Sequence, residues 1–259
     1  MSENLSGTAT IVGGQGAMGR FFASRLGACG FQVRTLDKPL RPEEVSRLVP
    51  GSSLLLLAVP PDAVEDVLDS LSGDLPEQAL LADLCSVKVD PLRQMLARHS
   101  GAVVGTHPLF GPEPDNGTPL RVALVRGRGE QAYERLHQLL LQAGLEPFPA
   151  DAEEHDRAMA FIQGLNFATT AAYLASVSHD SSLEKYLTPS FQRRLAAARK
   201  MLTQDAELFE KLYEANPYSQ EAVRCYRSYL GLAASGEMDL LLNRACWWWS
   251  GENNPGGGV

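Results

Sequence analysis

Short apolar runs alternate with helical patterns over the first 150 residues of the chain. Most of the runs are rich in leucine, valine, isoleucine or alanine and too short for a helix, which is typical of buried parallel strands. The runs are Thr8–Val12, Phe31–Leu36, Ser53–Val59, Ala79–Leu84, Ala102–Thr106, Arg121–Val125 and Leu145–Phe148. Helical spacing between them, as from Val64 to Leu71, completes a pattern that predicts an α/β fold with a doubly wound, mostly parallel sheet.

The pattern changes at Asp151, after which helical spacing continues without a convincing strand. Helices are predicted over Asp151–Val177, Leu195–Leu212, Gln220–Leu232 and Asp239–Trp249. The run Trp247–Trp249 carries more indole surface than a small domain easily hides, so we expect it in a core or a dimer interface. The second half is therefore predicted to be all α.

A glycine-rich segment follows the first predicted strand. Gly14, Gly16 and Gly19 fit G-x-G-x-x-G, with a helix pattern after them and Asp37 at the tip of the next strand. Gly14 is expected to permit a tight turn, Gly16 to let the backbone approach a pyrophosphate, and Gly19 to let helix pack on strand. The positive end of the helix would face the phosphates. These features predict a Rossmann-type dinucleotide-binding unit.

The acid at the end of the second strand indicates the cofactor. Asp37 should accept hydrogen bonds from the ribose hydroxyls of NAD and repel a 2′-phosphate. Arg34 and Lys38 lie close by in the sequence, so NADP is disfavoured without being ruled out. The predicted cofactor-binding residues are Gly14, Gln15, Gly16, Ala17, Met18, Gly19, Asp37, Val59 and Pro60.

Candidate catalytic residues lie at two further strand ends. His107 follows a predicted strand, and histidine is the side chain best matched to proton transfer near neutral pH. Ser86 and Lys88 end the neighbouring strand and could face the same cleft; the alternative is a helix-capping serine and a surface lysine. The remaining histidines are expected at solvated, loop, helix-cap or domain-contact positions: His99, His137, His155 and His179.

Four stretches together resemble the prephenate dehydrogenase family: Gly13–Phe22, Asp83–Lys88, Gly105–Pro112 and Glu154–Gln163. The resemblance covers roughly residues 8 to 249 and implies an N-terminal Rossmann domain, a helical domain that dimerises, and an active site between them. Members oxidise prephenate, arogenate or a near analogue with NAD(P) and release the ring carboxylate as CO2. A fused chorismate mutase segment is expected to be absent, because none precedes the glycine loop.

The resemblance also implies residue roles. His107 would hydrogen-bond the C4 substituent of the substrate and take its proton, and Ser86 would orient His107 and the nicotinamide. Lys88 would line the cleft and steady a substrate carboxylate. Gln163 matches a family position near the site, on the helix that reaches back from the second domain.

Two positions depart from the family pattern. Asn166 stands where prephenate-using members usually carry a histidine, and Pro217–Ser219 stands where they usually carry an arginine for the ring carboxylate. Arg224 and Arg227 are the nearest candidate cations, with a solvated basic helix face as the equally weighted alternative. These changes make 4-amino-4-deoxyprephenate nearly as favoured a substrate as prephenate. The predicted substrate-binding residues are Ser86, His107, Gln163, Asn166, Tyr218, Arg224 and Arg227.

Composition limits the classes of partner expected for the 259-residue chain. A net charge of −8 argues against nucleic acid or an anionic membrane as partner. The amino terminus is polar without a signal-peptide pattern, and the apolar run Leu54–Val59 is far too short to span a bilayer. The scattered cysteines fit reduced cytosolic thiols rather than disulfides or zinc ligands, so we expect a cytoplasmic protein without a metal.

The predicted domains are a dinucleotide-binding domain over 1–150, a helical substrate and dimerisation domain over 151–250, and a disordered tail over 251–259. Three alternatives to a prephenate or amino-prephenate dehydrogenase stay open: an arogenate dehydrogenase, a β-hydroxyacid dehydrogenase, and a non-catalytic NAD-binding protein. The second would need a lysine on the first helix of the helical half, and Asp151–Val177 contains none. The third would not need Ser86, Lys88 and His107 together.

Overall fold

The computed structural model describes residues 6–177 and 180–249. The predictions of a loop position for His179 and of a disordered tail over 251–259 lie outside the described residues. Within the described part, no helix is long and apolar enough to cross a membrane.

A single seven-stranded sheet forms the first half of the molecule, in the order β2-β1-β3-β4-β5-β6-β7. Strands β1 to β5 are parallel, β6 runs antiparallel to β5, and β7 is parallel to β6. The predicted α/β class with a mostly parallel sheet is thereby confirmed. The strands are β1 Thr8–Val12, β2 Gln32–Leu36, β3 Leu54–Leu57, β4 Leu80–Asp83, β5 Ala102–Pro108, β6 Arg121–Arg128 and β7 Glu146–Ala150.

Helices cover both faces of the sheet, which explains why the central strands are apolar at every position. In β3, Leu54 and Leu56 join the core under α1 and α5, whereas Leu55 and Leu57 join the core under α2, α3 and α4. This alternation follows from the two-residue period of a strand. The helices are α1 Ala17–Ala28, α2 Pro42–Leu48, α3 Val64–Leu71, α4 Val89–Arg98 and α5 Glu130–Gln142.

The second half is all helical, as predicted. A long helix runs from α6 through a π-helical turn into α7, and α8 to α11 follow. The predicted helix Leu195–Leu212 is instead two helices, because α8 ends at Thr203 and α9 begins at Ala206, at polar residues that favour helix ends. The elements are α6 Ala152–Met159, the π-helical turn Ala160–Leu165, α7 Asn166–Ser176, α8 Pro189–Thr203, α9 Ala206–Ala215, α10 Ser219–Ala234, α11 Met238–Ala245 and short 3-10 helices at Ser181–Tyr186 and Cys246–Trp249.

Strand β5 is longer than its apolar run predicts, and this extension places the candidate site. It pairs with β4 only as far as Val104, opposite Ala82. Beyond that point β5 continues to Pro108 on the antiparallel neighbour β6, where His107 lies opposite Ala123. His107 therefore lies within a strand, beyond the carboxyl end of β4, and not in the loop after a strand as predicted.

Candidate active site

The glycine turn after β1 is tightly enclosed by its own chain. Gly13, rather than the predicted Gly14, has the left-handed backbone, with φ of 83°. A Cβ on Gly14 would lie 2.3 Å from the side chain of Thr35, so Gly14 is needed for close packing against β2. A Cβ on Gly19 would lie 2.2 Å from the carbonyl oxygen of Gly13, which agrees with the predicted packing of helix on turn.

The start of α1 suits a phosphate group. Gly16 precedes the helix, no side chain caps it, and its first turn contains no acidic residue. The first turn, which includes Ala17, Met18 and Gly19, therefore leaves backbone N–H groups for an anion. A Cβ on Gly16 would have only one neighbour, the Gly13 carbonyl oxygen at 3.1 Å, so the backbone is open to close approach from outside. These residues fit a dinucleotide.

Asp37 lies beside this turn, as the motif predicts. Its Oδ1 accepts a hydrogen bond from the backbone N–H of Gln15 at 2.9 Å, and no described residue hydrogen-bonds its second oxygen. The nearby Arg34 donates instead to the carbonyl oxygen of Leu48, at 3.4 Å. Val59 also borders the turn, with its Cγ1 3.1 Å from the position of a Cβ on Gly13.

Pro60 follows β3 and is exposed at the same end of the sheet.

His107 is buried where the two halves of the molecule meet. Its Nδ1 lies 2.8 Å from Nε2 of His155, which belongs to α6. The two rings are nearly perpendicular, with centroids 5.0 Å apart and an interplanar angle of 80°. The orienting partner of His107 is therefore a histidine of the helical half.

Asp156 continues this contact into a buried network. Its Oδ1 lies 2.8 Å from Nδ1 of His155 and accepts the backbone N–H of Lys88 at 2.7 Å. Its Oδ2 accepts the backbone N–H of Val89 at 2.9 Å, at the start of α4. Asn216 donates a hydrogen bond to the backbone carbonyl of Asp156 at 2.7 Å. The carboxylate thus joins the helical half to a helix N-terminus of the strand half, where a negative charge is stabilised.

Lys88 does not line a cleft as predicted. Its side chain is fully buried, and its ammonium donates to the carboxylate of Asp83 and to the carbonyl oxygen of Thr106. Asp83 also accepts the backbone N–H groups of Cys85 at 3.0 Å and of Thr106 at 3.1 Å. A buried ammonium requires such partners, so Lys88 ties β4 to β5 beneath His107 instead of holding a substrate carboxylate.

Ser86 is half-buried after β4, but no hydrogen bond joins it to His107 within the described structure. The hydrogen bond of His107 is made to His155 instead, and the predicted role of Ser86 in orienting His107 and the nicotinamide stays a prediction. Strand β5 extends past β4, and the His107 ring makes its hydrogen bond to α6.

Burial sets the protonation of this site. Loss of hydration lowers the pKa of His107 well below its usual 6.5, and His155 and the Lys88 ammonium lower it further. His107 is therefore a neutral imidazole at neutral pH. Burial and the Asp83 carboxylate raise the pKa of the nearby Cys85 thiol, which keeps that sulfur protonated. No cluster of histidine, cysteine or acidic residues suited to a metal is found in 6–177 and 180–249.

Comparison with known proteins shows which family the chain resembles. Residues 41–119 match the family model described as prephenate dehydrogenase, nucleotide-binding domain. A T-protein of Enterobacter agglomerans is 35% identical over 227 residues, which is 86% of this chain and 60% of that protein. The chain resembles the prephenate dehydrogenase family. It spans about 60% of the length of that T-protein.

Two further proteins, one compared by sequence and one by structure, are similar over most of their length. A 4-amino-4-deoxyprephenate dehydrogenase of Streptomyces pristinaespiralis is 27% identical over 238 residues, covering 83% of this chain and 79% of that one. The crystal structure of prephenate dehydrogenase from A. aeolicus, in complex with hydroxyphenyl propionate and NAD+, has a TM-score of 0.75 at 19% identity. The match covers 95% of this chain and 96% of that chain. At that identity the structural likeness establishes the fold.

The predicted substrate residues of the long helix lie beyond the histidine pair. Gln163 is half-buried in the π-helical turn, and Asn166 is exposed at the first position of α7. The π-helical turn follows α6 directly, so both residues belong to the same continuous helix as His155. π-turns often accompany functional sites, because they alter the direction of successive side chains. Contact of these two residues with substrate stays a prediction.

The predicted residues near α10 are placed differently from one another. Tyr218 is half-buried, and the guanidinium of Arg157 lies 4.1 Å from its ring centroid. Arg224 and Arg227 are both exposed, and Arg224 lies opposite the helix face that buries Ser219 and Ala222. No ion pair of either arginine is found among the described residues. Their role toward a carboxylate stays a prediction.

The buried network includes residues that the sequence reading did not assign to the site: Asp83, His155, Asp156 and Asn216. His155 was expected only in a helix cap or a domain contact, and the latter is what the structure shows. A usable signal was present, because Glu154–Gln163 was one of the four stretches that carried the family resemblance. Adjacent histidine and aspartate at a helix start could have been read as partners of a second histidine.

Proposed function

We propose that this protein catalyses the NAD-dependent oxidative decarboxylation of a prephenate-type cyclohexadiene to a 4-substituted phenylpyruvate. The observation that carries the proposal is His107: a buried, neutral imidazole whose Nδ1 is bound by His155 and whose Nε2 has no hydrogen-bond partner among the described residues. A neutral imidazole with one free nitrogen is a general base. Similarity to the prephenate dehydrogenase family supports this substrate class.

The proton and the electrons released in the reaction each have an acceptor. Nε2 of His107 accepts the proton that leaves the C4 substituent of the ring. The bond between C1 and its carboxylate breaks, and its electron pair enters the ring as CO2 departs and the ring becomes aromatic. NAD+, when bound, supplies the acceptor for the two electrons and the hydrogen lost from C4. Burial around His107 excludes water, which keeps the imidazole unprotonated until the substrate proton arrives.

We propose that the strand half, residues 1–150, holds NAD through the glycine turn, the first turn of α1 and Asp37. The free second oxygen of Asp37 would accept from the ribose hydroxyls, and its charge would repel a 2′-phosphate. Arg34 is turned toward the carbonyl oxygen of Leu48, which supports NAD over NADP.

Residues 151–250 would complete the site through α6 and the π-helical turn. Gln163, Asn166, Tyr218, Arg224 and Arg227 remain the proposed substrate contacts of this half.

Prephenate itself is the first proposed substrate, because the matched family model carries that name. A second candidate is 4-amino-4-deoxyprephenate, with an amine in place of the C4 hydroxyl. It is supported by similarity to the Streptomyces pristinaespiralis relative of that name and by Asn166, which stands at the position where the family resemblance implies a histidine. In either case Nε2 of His107 would take a proton from the C4 substituent.

The test is turnover of the purified protein with NAD+ and, separately, prephenate, 4-amino-4-deoxyprephenate and arogenate. NADH absorbance and released CO2 are measured together, because equal amounts of both are expected from oxidative decarboxylation. A higher kcat/KM for prephenate than for the amine supports the first candidate, and the reverse supports the second. NADH without CO2 would favour a β-hydroxyacid type of oxidation. Absence of NADH with all three compounds would contradict the proposal and favour a non-catalytic NAD-binding protein.

We also propose that the protein forms a homodimer through its helical half. Large apolar side chains stay exposed on three successive elements there: α10, α11 and the 3-10 helix at Cys246–Trp249. They are Tyr226, Leu230, Met238, Leu240, Leu242, Trp247, Trp248 and Trp249. Exposed apolar side chains on neighbouring elements are typical of an interface, and a second copy offers a matching surface by symmetry.

A further inference from the structure

The buried histidine pair has a defined direction of hydrogen bonding. In a neutral imidazole one nitrogen carries a proton and donates, while the other carries a lone pair and accepts. Nδ1 of His155 lies 2.8 Å from Oδ1 of Asp156, and an ionised carboxylate only accepts. In a neutral His155, Nδ1 therefore donates to Asp156, which leaves a lone pair on Nε2 of His155.

The same rule then determines His107. Nε2 of His155 has a lone pair, so the 2.8 Å contact between the rings requires a proton on Nδ1 of His107. A neutral His107 consequently has its lone pair on Nε2, the nitrogen that the proposed reaction needs as base. With a neutral His155, the reverse arrangement would need a proton on the Asp156 carboxylate.

Two contacts of Asp156 oppose that reverse arrangement. Both of its oxygens accept backbone N–H groups, from Lys88 at 2.7 Å and from Val89 at 2.9 Å. These donors lie at the N-terminus of α4, where a negative charge is stabilised. The neighbouring Lys88 ammonium is already paired with Asp83, so it does not compete for Asp156. The carboxylate thus remains an acceptor for His155.

We propose that His155 and Asp156 are positioning residues that hold His107 in the tautomer with a free Nε2. The inference rests on the proposed function of His107 as the base and adds a role for residues of the other half of the molecule. Neither His155 nor Asp156 would touch the reacting atoms. They act through His107, so the tautomer of His107 depends on the contact between α6 and β5.

The first test is independent of turnover. Protein labelled with ¹⁵N in its five histidines is examined by long-range proton–nitrogen NMR near neutral pH, with His107→Asn used to assign the His107 signals. We expect a protonated Nδ1 and an unprotonated Nε2 for His107. A proton on Nε2 of His107 would overturn the proposal, whatever the activity of the protein.

The second test compares substitutions at His155. His155→Leu removes the acceptor for Nδ1 of His107, so we expect His107 to populate both tautomers and kcat to fall by about 10- to 100-fold, with KM nearly unchanged. His155→Gln restores an acceptor close to the position of Nε2, so it should recover kcat to within about fivefold of the unmodified protein. Unchanged kcat and an unchanged tautomer in a folded His155→Leu protein would contradict the proposal.

His99→Leu is the matched control. His99 is also buried, and its Nε2 lies 2.9 Å from the carbonyl oxygen of Ala79, away from His107. Its loss should lower stability while leaving the His107 tautomer and kcat unchanged. If His155→Leu fails to fold, His155→Gln and the NMR spectrum of the unmodified protein still decide. If that protein turns over none of the three substrates, the proposed function fails, yet the tautomer of His107 remains measurable.

Discussion

Helix α3 in the strand half and helix α7 in the helical half are both rich in apolar residues, yet only one of them is covered. In α3, Val64, Val67, Leu68 and Leu71 are each at most 1% exposed. In α7 no residue is buried, and α11 likewise buries none. The strand half closes on itself around its sheet, whereas the helical half keeps apolar surface exposed. The comparison shows that helical spacing identifies an apolar face but not what covers it.

The largest effect is expected when His107, the proposed base in the strand half, is replaced. His107→Asn keeps a donor toward His155 but has no equivalent of Nε2, so we expect kcat to fall by about 10³-fold. NADH formation measures kcat, and calorimetric titration should give an unchanged Kd for NAD. The chemistry would lie elsewhere if kcat fell little in His107→Asn but fell equally in every variant that weakens the helical half.

A charge on the uncovered helical face tests the proposed dimer. Leu242 is 57% exposed on α11, and Leu242→Glu should weaken dimerisation by about a hundredfold because a carboxylate would be buried in an apolar contact. Sedimentation equilibrium measures the change.

Leu141→Glu is the control, since Leu141 is 46% exposed but belongs to α5 of the strand half. Its dimerisation should be unaffected. A monomeric unmodified protein, or equal effects of the two substitutions, would contradict the proposed interface.

The close packing of the strand half can be tested within one helix. Gly19→Ala would place a Cβ 2.2 Å from the Gly13 carbonyl oxygen, and we expect it to lower the free energy of unfolding by about 2 kcal/mol. Gly27→Ala is the matched control in the same helix, because its Cβ would meet nothing within 4 Å. It should raise that free energy by about 0.5–1 kcal/mol. Urea titration measures the change in the free energy of unfolding for both variants. If the two changes had the same sign, the turn would relax more than its geometry suggests.

The smallest effect is on pH dependence. Burial lowers the pKa of His107 well below the usual 6.5, so the unfolded chain binds more protons than the folded chain as pH falls through 6.5. His107 therefore lowers the stability of the fold as pH falls below its ordinary pKa. Above that pKa it has no such effect.

Urea titrations at several pH values should show a shallower loss of stability for His107→Asn than for the unmodified protein over this range. The kcat/KM of the unmodified protein should stay level through pH 6.5, because folded His107 remains neutral. A steeper loss of stability in the variant would contradict the assigned direction.

The sequence anticipated local features and missed relations between distant segments. The glycine turn and Asp37 lie together as expected, because strand, turn and helix are neighbours in the chain. Lys88 was expected at a cleft, and only the fold shows that Asp83 and the Thr106 carbonyl enclose it. Ser86 was expected to orient His107, and only the fold shows that Nδ1 of His107 has its hydrogen-bond partner in His155.

By itself the sequence determined the α/β class, the nucleotide-binding turn, the family resemblance and His107 as the candidate base. These follow from periodicity, glycine spacing and short motifs, each of which depends on residues close together in the chain. Only the tertiary structure decided which side chain orients His107, which lysine is buried and which helix faces stay exposed. Those outcomes depend on contacts between segments far apart in the chain, such as His107 with His155, and local spacing does not encode such distances.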